Sequence, residues 1–146
     1  MLTNKELAIM DLLRREAILT TPVRSSKIAA AVVIKNKIIS IGRCQMKTHP
    51  MQMEFGKNDQ AIYLHAEMDV IIKGLQFVDV SDYNNASIMI CRVKRPEANN
   101  KIWIYGNAKP CVGRNKLGCM NAILHFGFKR VIYTQDDGTF YKEKLR

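Results

Sequence analysis

The sequence predicts an α/β fold in which a mixed β-sheet is covered by helices on both faces. The predicted elements follow the order helix, strand, strand, helix, strand, helix, strand, and a hairpin followed by alternating helices and strands is typical of such a sheet. The chain has 146 residues, of which 47% are hydrophobic and 25% are charged. This length and composition fit one globular domain with one core rather than a disordered chain, so we expect a single domain over residues 1–146.

A helix and a β-hairpin are predicted at the start of the chain. Thr3 and Glu6 form a capping-box pattern ahead of an apolar stripe, which predicts a helix over about residues 4–18. The runs IAAAVVI (28–34) and IISIG (38–42) predict two strands of a hairpin. Because the first run is continuously apolar, we expect that strand to be buried on both faces.

Apolar runs and turn signals alternate in the rest of the chain. Residues 43–60 are polar and irregular, which predicts a long loop of the kind that often carries function. Beyond it the patterns predict a helix over 65–76, a strand over 87–93, a short strand over 101–106, a helix over 119–127 closed by Gly127, and a strand over 129–134. The last segment, TFYKEKL (139–145), fits either an edge strand or a helix.

The net charge of +10 is concentrated in the last third of the chain. Residues 92–146 carry 12 basic and 4 acidic side chains, whereas residues 1–91 carry 11 and 9. This basic segment fits an anionic partner, such as a nucleotide phosphate or a nucleic acid, but equally a solvated face.

Neither a membrane segment nor a signal peptide is predicted. No apolar run is long enough to span a bilayer, and the N-terminus mixes acidic and basic residues into its apolar positions. We therefore expect a cytoplasmic protein whose four cysteines are reduced thiols or metal ligands rather than disulfides.

Three potential metal ligands lie at the starts of predicted helices. His65 opens one helix, Cys111 precedes the next, and Cys119 begins it. One imidazole and two thiolates suit a tetrahedral zinc with a fourth position open for water, whose pKa the metal lowers towards neutrality. Glu67 is two residues after His65 and points in a different direction on a helix. We expect it to carry protons rather than to bind the ion.

Each of these residues has a more ordinary interpretation when it is taken alone. A histidine at a helix start is usually structural, a helical glutamate is usually solvated, and separated cysteines are usually small buried hydrophobes. Together, however, they match a zinc deaminase signature, H-x-E followed by a P-C pair and a further cysteine.

On these residues the chain resembles the cytidine/deoxycytidylate deaminase superfamily, and its small phage-type deoxycytidylate deaminases in particular. The resemblance covers about residues 28–135 and depends on LHAEMDVI (64–71), KPC (109–111) and CMNAILHFGFKRVIYT (119–134). It implies a cytidine deaminase-like three-layer α/β/α sandwich with a mixed central sheet of about five strands. It also implies a homo-oligomer.

The resemblance assigns a role to each residue of the motif. His65, Cys111 and Cys119 would bind Zn²⁺, and Glu67 would move protons while a zinc-bound hydroxide displaces ammonia from a base. Ala66 would lie close under that base, and Pro110 would shape the loop beside the pocket.

The sequence departs from the family pattern in two places. The cysteines are separated by seven residues instead of two, so residues 112–118 cannot be helical if both bind one ion, because eight helical residues rise by about 12 Å. Gly113 and Gly118 would allow a loop there. Where family members carry an asparagine after the second strand, the corresponding place is occupied by Cys44 or Gln45.

Four functions remain open from the sequence. The first is hydrolytic deamination of a free cytosine nucleotide, dCMP above all. Its candidate contacts are Arg43, Cys44, Lys47, His49, Arg114 and Lys116. The second is deamination of a base within tRNA or single-stranded nucleic acid, with Trp103, Tyr105 and Phe126 as stacking residues. The third is a riboflavin-pathway-like pyrimidine deaminase, because that class also inserts a Gly-Arg loop like Gly113-Arg114. The fourth is a zinc-stabilised binding domain without turnover, which would leave Glu67 unexplained.

Overall fold

A mixed six-stranded sheet forms the centre of the computed structural model, which describes residues 1–20, 27–45, 49–55, 65–95, 102–112 and 118–145. The strands are β1 (Lys27–Ile34), β2 (Lys37–Arg43), β3 (Ala86–Lys94), β4 (Ile104–Gly106), β5 (Arg130–Thr134) and β6 (Phe140–Lys144). The helices are α1 (Asn4–Ile18), α2 (Pro50–Phe55), α3 (Ala66–Gly74) and α4 (Cys119–His125), with a 3₁₀ helix over Val80–Asn85.

The strands lie in the order β2-β1-β3-β5-β6. β1 is antiparallel to β2 and to β3, β3 is parallel to β5, and β6 is antiparallel to β5. β4 pairs with residues 92–94 of β3, beyond the part of β3 that pairs with β5, so β4 and β5 lie end to end along one side of β3. Thr134 closes this junction, because its hydroxyl donates to the Gly106 carbonyl (2.7 Å) and accepts from the Arg92 N–H (3.1 Å).

Helices cover both faces of the sheet, which confirms the predicted three-layer arrangement. On one face α1 packs against alternate β1 residues, Ala29, Ala31 and Val33. On the other face α3 and α4 pack against the intervening residues Ala30 and Val32. The continuous apolar run of β1 is thus buried on both sides, as expected for a central strand.

Several element boundaries follow the predicted local signals. The capping box at the start of α1 is formed, with the Thr3 N–H donating to Glu6 Oε1 (2.9 Å) and the Glu6 N–H to Thr3 Oγ1 (3.2 Å). The chain leaves α4 through Gly127, whose φ of 83° lies in the left-handed region that glycine adopts without strain. The TFYKEKL segment forms edge strand β6.

The prediction of one long loop over residues 43–60 was wrong in part, because residues 50–55 form α2. Pro50 occupies the first helical position, where its fixed φ suits a helix and its missing N–H is not needed. His49 Nδ1 accepts from the Met51 N–H (3.1 Å) and so binds one of the free amides of that first turn.

The start of α3 is held tightly against the end of β2. A β-carbon on Gly42 would lie 2.4 Å from the Val70 nitrogen and 2.7 Å from the Ala66 carbonyl oxygen, so only glycine fits there. Asp69 adds a polar link, because its Oδ2 accepts from the Arg43 N–H and from Lys73 Nζ, both at 2.9 Å. These contacts fix the end of α3 at which His65 lies.

Among the described residues, no helix is both long and apolar enough to cross a membrane.

Candidate active site

The structure brings His65, Cys111 and Cys119 together. One ligand atom from each side chain, a ring nitrogen or a sulfur, lies within 4.8 Å of the other two. His65 Nδ1 is 3.2 Å from Cys119 Sγ. Residues that are 46 and 54 positions apart from His65 in the chain thus converge at the point where α3 and α4 begin.

Each of the three side chains is positioned by the end of an element. His65 is the extended N-cap residue of α3, with φ −76° and ψ 156°. Cys111 follows β4, and its sulfur accepts from the Cys119 N–H (3.3 Å) while its carbonyl accepts from the Met120 N–H (3.0 Å). Gly118 turns the chain into α4 with a φ of 98°, so the helix begins only at Cys119. The predicted loop residues Gly113, Arg114 and Lys116 lie outside the described residues.

A hydrogen bond couples the titration of Cys111 and Cys119. A hydrogen bond from Cys119, outweighing the effect of burial, lowers the pKa of Cys111 to about 4. The same bond, together with burial, raises the pKa of Cys119 well above its usual range. The hydrogen bond thus favours the thiolate form of Cys111 and the thiol form of Cys119, and the two residues titrate as a coupled pair.

Glu67 lies in the first turn of α3 and is almost completely buried, with 6% of its surface exposed. Its Oε1 has no hydrogen-bond partner among the described residues. Burial raises the pKa of this carboxyl above its usual value, although the nearby His65 opposes the shift. A buried carboxyl with a raised pKa and an unpaired oxygen is suited to accept and return a proton.

The donor set of the three ligands fits zinc. A nitrogen and two sulfurs are the ligands that Zn²⁺ takes in proteins, and three of them leave one tetrahedral position for water. The lowered pKa of Cys111 favours its thiolate form, which reduces the number of protons that a metal must displace. An apolar cluster surrounds the two cysteines and is formed by Met51, Phe55, Met68, Ile72 and Ala122.

No protein-family model and no curated protein sequence matches the chain. A solved structure of similar fold is the apo form of dCMP deaminase from the cyanophage S-TIM5. The two are 20% identical, and the similarity covers 94% of this chain and 89% of that chain with a TM-score of 0.55. The likeness shows a common fold, and it confirms the cytidine deaminase-like α/β arrangement that the sequence predicted.

The other predicted substrate contacts lie in different environments, some buried and others held by an ion pair or a hydrogen bond. Ala66, Pro110 and Cys44 are buried, and the Cys44 N–H donates to the Ile28 carbonyl (3.3 Å). The Arg43 guanidinium forms an ion pair with Glu16 on α1, across the sheet from α3. His49 accepts the α2 hydrogen bond described above. Lys47 lies outside the described residues, as do Arg114 and Lys116.

The three aromatic residues considered for nucleic-acid stacking do not form one surface. Trp103 and Tyr105 pack with the α1 side of the core, and the Trp103 ring centroid is 4.8 Å from Lys27 Nζ and 5.0 Å from the Arg95 guanidinium. Phe126 packs on the opposite side of the sheet, edge-on to Tyr83 at 6.4 Å. A continuous stacking platform that combines these three residues is therefore not formed.

One residue beside the site was missed by the sequence reasoning. Gln52 on α2 is fully buried, and its Oε1 accepts from the His65 N–H (3.1 Å). Only the position of Gln52 within the short amphipathic segment PMQMEF could have indicated this contact, because the surrounding residues have the composition of a polar loop.

Proposed function

We propose that this chain is a zinc-dependent hydrolase that deaminates a cytosine nucleotide, converting dCMP into dUMP and ammonia. The observation that carries the proposal is the convergence of His65, Cys111 and Cys119 beside the buried carboxyl of Glu67. The fold shared with a structure described as a dCMP deaminase supports this substrate class.

The proposed mechanism assigns proton transfer to Glu67. A zinc ion held by His65, Cys111 and Cys119 would supply an activated water as the nucleophile. Glu67 would move one proton of that water to the ring nitrogen of the base and the second proton to the amino group, which then leaves as ammonia. Water oxygen becomes the carbonyl of the product, the bond to the amino group breaks, and ammonia leaves. Burial raises the pKa of Glu67, which favours the protonated form of its carboxyl.

The substrate's phosphate needs a cationic contact, for which basic residues before α2 and between the two proposed ligand cysteines are candidates. Lys47, Arg114 and Lys116 are the proposed contacts, because Arg43 is engaged with Glu16. Replacing Lys116 with Ala should then raise the KM for dCMP more than the KM for deoxycytidine, which lacks the phosphate. Equal effects on both substrates would remove Lys116 from the phosphate site.

We propose that residues 1–146 form one deaminase domain, which acts in the cytoplasm as a homo-oligomer. Sedimentation of the zinc-loaded protein tests the oligomer directly, and a species with the 16.7 kDa mass of one chain would contradict it.

An ammonia-release screen tests the substrate. The zinc-loaded protein should be assayed with dCMP, dCTP, CMP, cytidine, a pterin, guanine and a single-stranded oligonucleotide. We expect dCMP to give the highest kcat/KM. Turnover of the oligonucleotide alone would favour deamination of a base within nucleic acid. In that case the affinity of the protein for the oligonucleotide should fall steeply with salt concentration. A zinc-loaded protein that releases ammonia from none of these would favour a binding domain without turnover.

A further inference from the structure

Gln52 makes an unusual connection between α2 and the candidate metal centre. The side chain has no exposed surface, and its Oε1 accepts a hydrogen bond from the backbone N–H of His65 at 3.1 Å. The other end of the amide, Nε2, is buried without a hydrogen-bond partner among the described residues. The one hydrogen bond that the described residues give this side chain therefore leads directly to a metal-ligand residue.

Both peptide groups of His65 are held in place. Its N–H is bound by Gln52, and its carbonyl accepts from the Asp69 N–H in the first turn of α3 (2.9 Å). α2 also contacts the second ligand segment, because the Phe55 carbonyl accepts from the Gly118 N–H, next to Cys119 (2.6 Å). The short helix α2 thus connects the two chain segments that deliver His65 and Cys119.

We propose that Gln52 is a positioning residue for the metal centre, whose side-chain carbonyl fixes the backbone of His65 so that the imidazole meets the two thiols. The proposal rests on the metal centre of the proposed function. Outer-shell contacts of this kind orient the ligands of a metal and raise the affinity of the site.

Packing alone does not explain an amide at this position. Neighbouring side chains Met51 and Phe55 pack into the apolar cluster around Cys111 and Cys119. A methionine would match the length of Gln52 without burying an NH₂ group that has no partner among the described residues, and such a group is destabilising in an apolar environment. The amide is thus unfavourable for packing but provides an acceptor for the His65 N–H.

Metal titrations of full-length variants test this role. Gln52→Met removes the acceptor at nearly constant volume, Gln52→Glu keeps an acceptor oxygen at the same chain length, and Ser40→Ala is the control. Ser40 is also buried and donates to the Val70 carbonyl of α3 (3.0 Å), but it lies beside Gly74, at the opposite end of α3 from His65. Affinity is measured with Co²⁺ alone, followed by the thiolate-to-cobalt absorption band, and with Zn²⁺ in competition with a chelator. Melting of the metal-free proteins is measured in parallel.

We expect Gln52→Met to lose about ten- to a hundred-fold in Co²⁺ and Zn²⁺ affinity and to alter the cobalt band. Gln52→Glu should bind nearly as well as the wild type. Ser40→Ala should lower the melting temperature of the metal-free protein but leave the affinity unchanged.

Two outcomes would overturn the role of Gln52 alone: wild-type affinity in Gln52→Met, or equal losses in Gln52→Met and Gln52→Glu. A wild-type protein that binds neither metal would instead overturn the metal centre itself, and this proposal with it. If Gln52→Met does not fold, hydrogen exchange of the wild-type protein tests the role of Gln52 instead. We expect the His65 backbone amide to be protected from exchange, and an unprotected amide would contradict the proposal.

Discussion

The thiol pair controls how the site responds to pH before any metal binds. Because their hydrogen bond lowers the pKa of Cys111 to about 4 and raises that of Cys119, we expect Cys111 to be the thiolate and Cys119 the thiol at neutral pH. Zinc binding must therefore release one thiol proton. We predict that Zn²⁺ affinity rises about tenfold per pH unit above pH 7, because one thiol proton leaves when the metal binds.

Competition with a chelator at several pH values measures this slope. A slope close to zero would mean that both cysteines are thiolates in the metal-free protein, and a slope near two would mean that both are thiols. Either result would contradict a proton shared between Cys111 and Cys119.

The buried carboxyl of Glu67 should lower the free energy of unfolding of the metal-free protein. Its pKa is raised by burial, so below about pH 4.5 it is protonated in both the folded and the unfolded state and gives no penalty. As pH rises through the folded-state pKa, the carboxyl must either keep a proton or bury a charge, and the folded state loses stability. Glu67→Gln should therefore raise the free energy of unfolding by about 1 to 3 kcal/mol at pH 7, with the gain disappearing towards pH 4.

Urea unfolding of the metal-free proteins between pH 4 and 8 tests this expectation. Glu54→Gln is the matched control, because Glu54 is exposed on α2 and its replacement should change little. A gain in Glu67→Gln that does not depend on pH would argue against a buried, titrating carboxyl.

At the scale of elements, the contact of α3 with β2 holds the ligand end of α3 in place. Because a β-carbon at Gly42 would lie 2.4 Å from the Val70 nitrogen, Gly42→Ala should push α3 away from the sheet. We predict a loss of about 1 to 3 kcal/mol in the free energy of unfolding, together with weaker metal binding.

Gly106→Ala provides the control for Gly42→Ala. The nearest atoms to a β-carbon at Gly106 belong to the flexible Arg92 side chain, at 3.3 Å, so this change should be tolerated. Denaturant unfolding and a zinc titration compare the two variants. Equal stability losses in both would show that the close approach of α3 to β2 is not what Gly42 provides.

Elements with strong local signals were predictable from the sequence. The capping box of α1 and the continuous apolar run of β1 determine their structures through neighbouring residues alone. α2 was missed because it is short and lies in a polar segment, and its stabilising contacts come from distant residues, including His65 and Gly118. Tertiary contacts of this kind cannot be derived from local propensity.

At the scale of the whole molecule, the metal should stabilise the fold by joining segments that are far apart in sequence. Zinc at a hundred times its dissociation constant adds about 2.7 kcal/mol, which corresponds to a rise of roughly 10 °C in melting temperature. Cys119→Ser should lose this rise, whereas Cys44→Ser should keep it, because Cys44 is not among the three converging ligands. Melting curves with zinc and with a chelator measure the difference, and loss of the rise in Cys44→Ser would require a different ligand set.

The candidate site was predictable where its residues form a motif. The H-x-E and P-C patterns, with the further cysteine, identified the three potential ligands that the structure brings together. The seven-residue gap between the two cysteines had argued against a shared site. The positioning role of Gln52 and the engagement of Arg43 with Glu16 were not predictable, because both depend on side-chain packing between elements. Composition also indicated a basic segment but not its partner, since charge does not specify geometry.

One measurement tests the central claim most directly: zinc content and ammonia release from dCMP, determined together for the wild type and for Glu67→Gln. We predict about one zinc per chain in both proteins, because Glu67 is not a ligand, and ammonia from the wild type only. Ammonia release by Glu67→Gln at the wild-type rate, or a zinc-loaded wild type that releases none from dCMP, would contradict the claim that this centre is a dCMP deaminase.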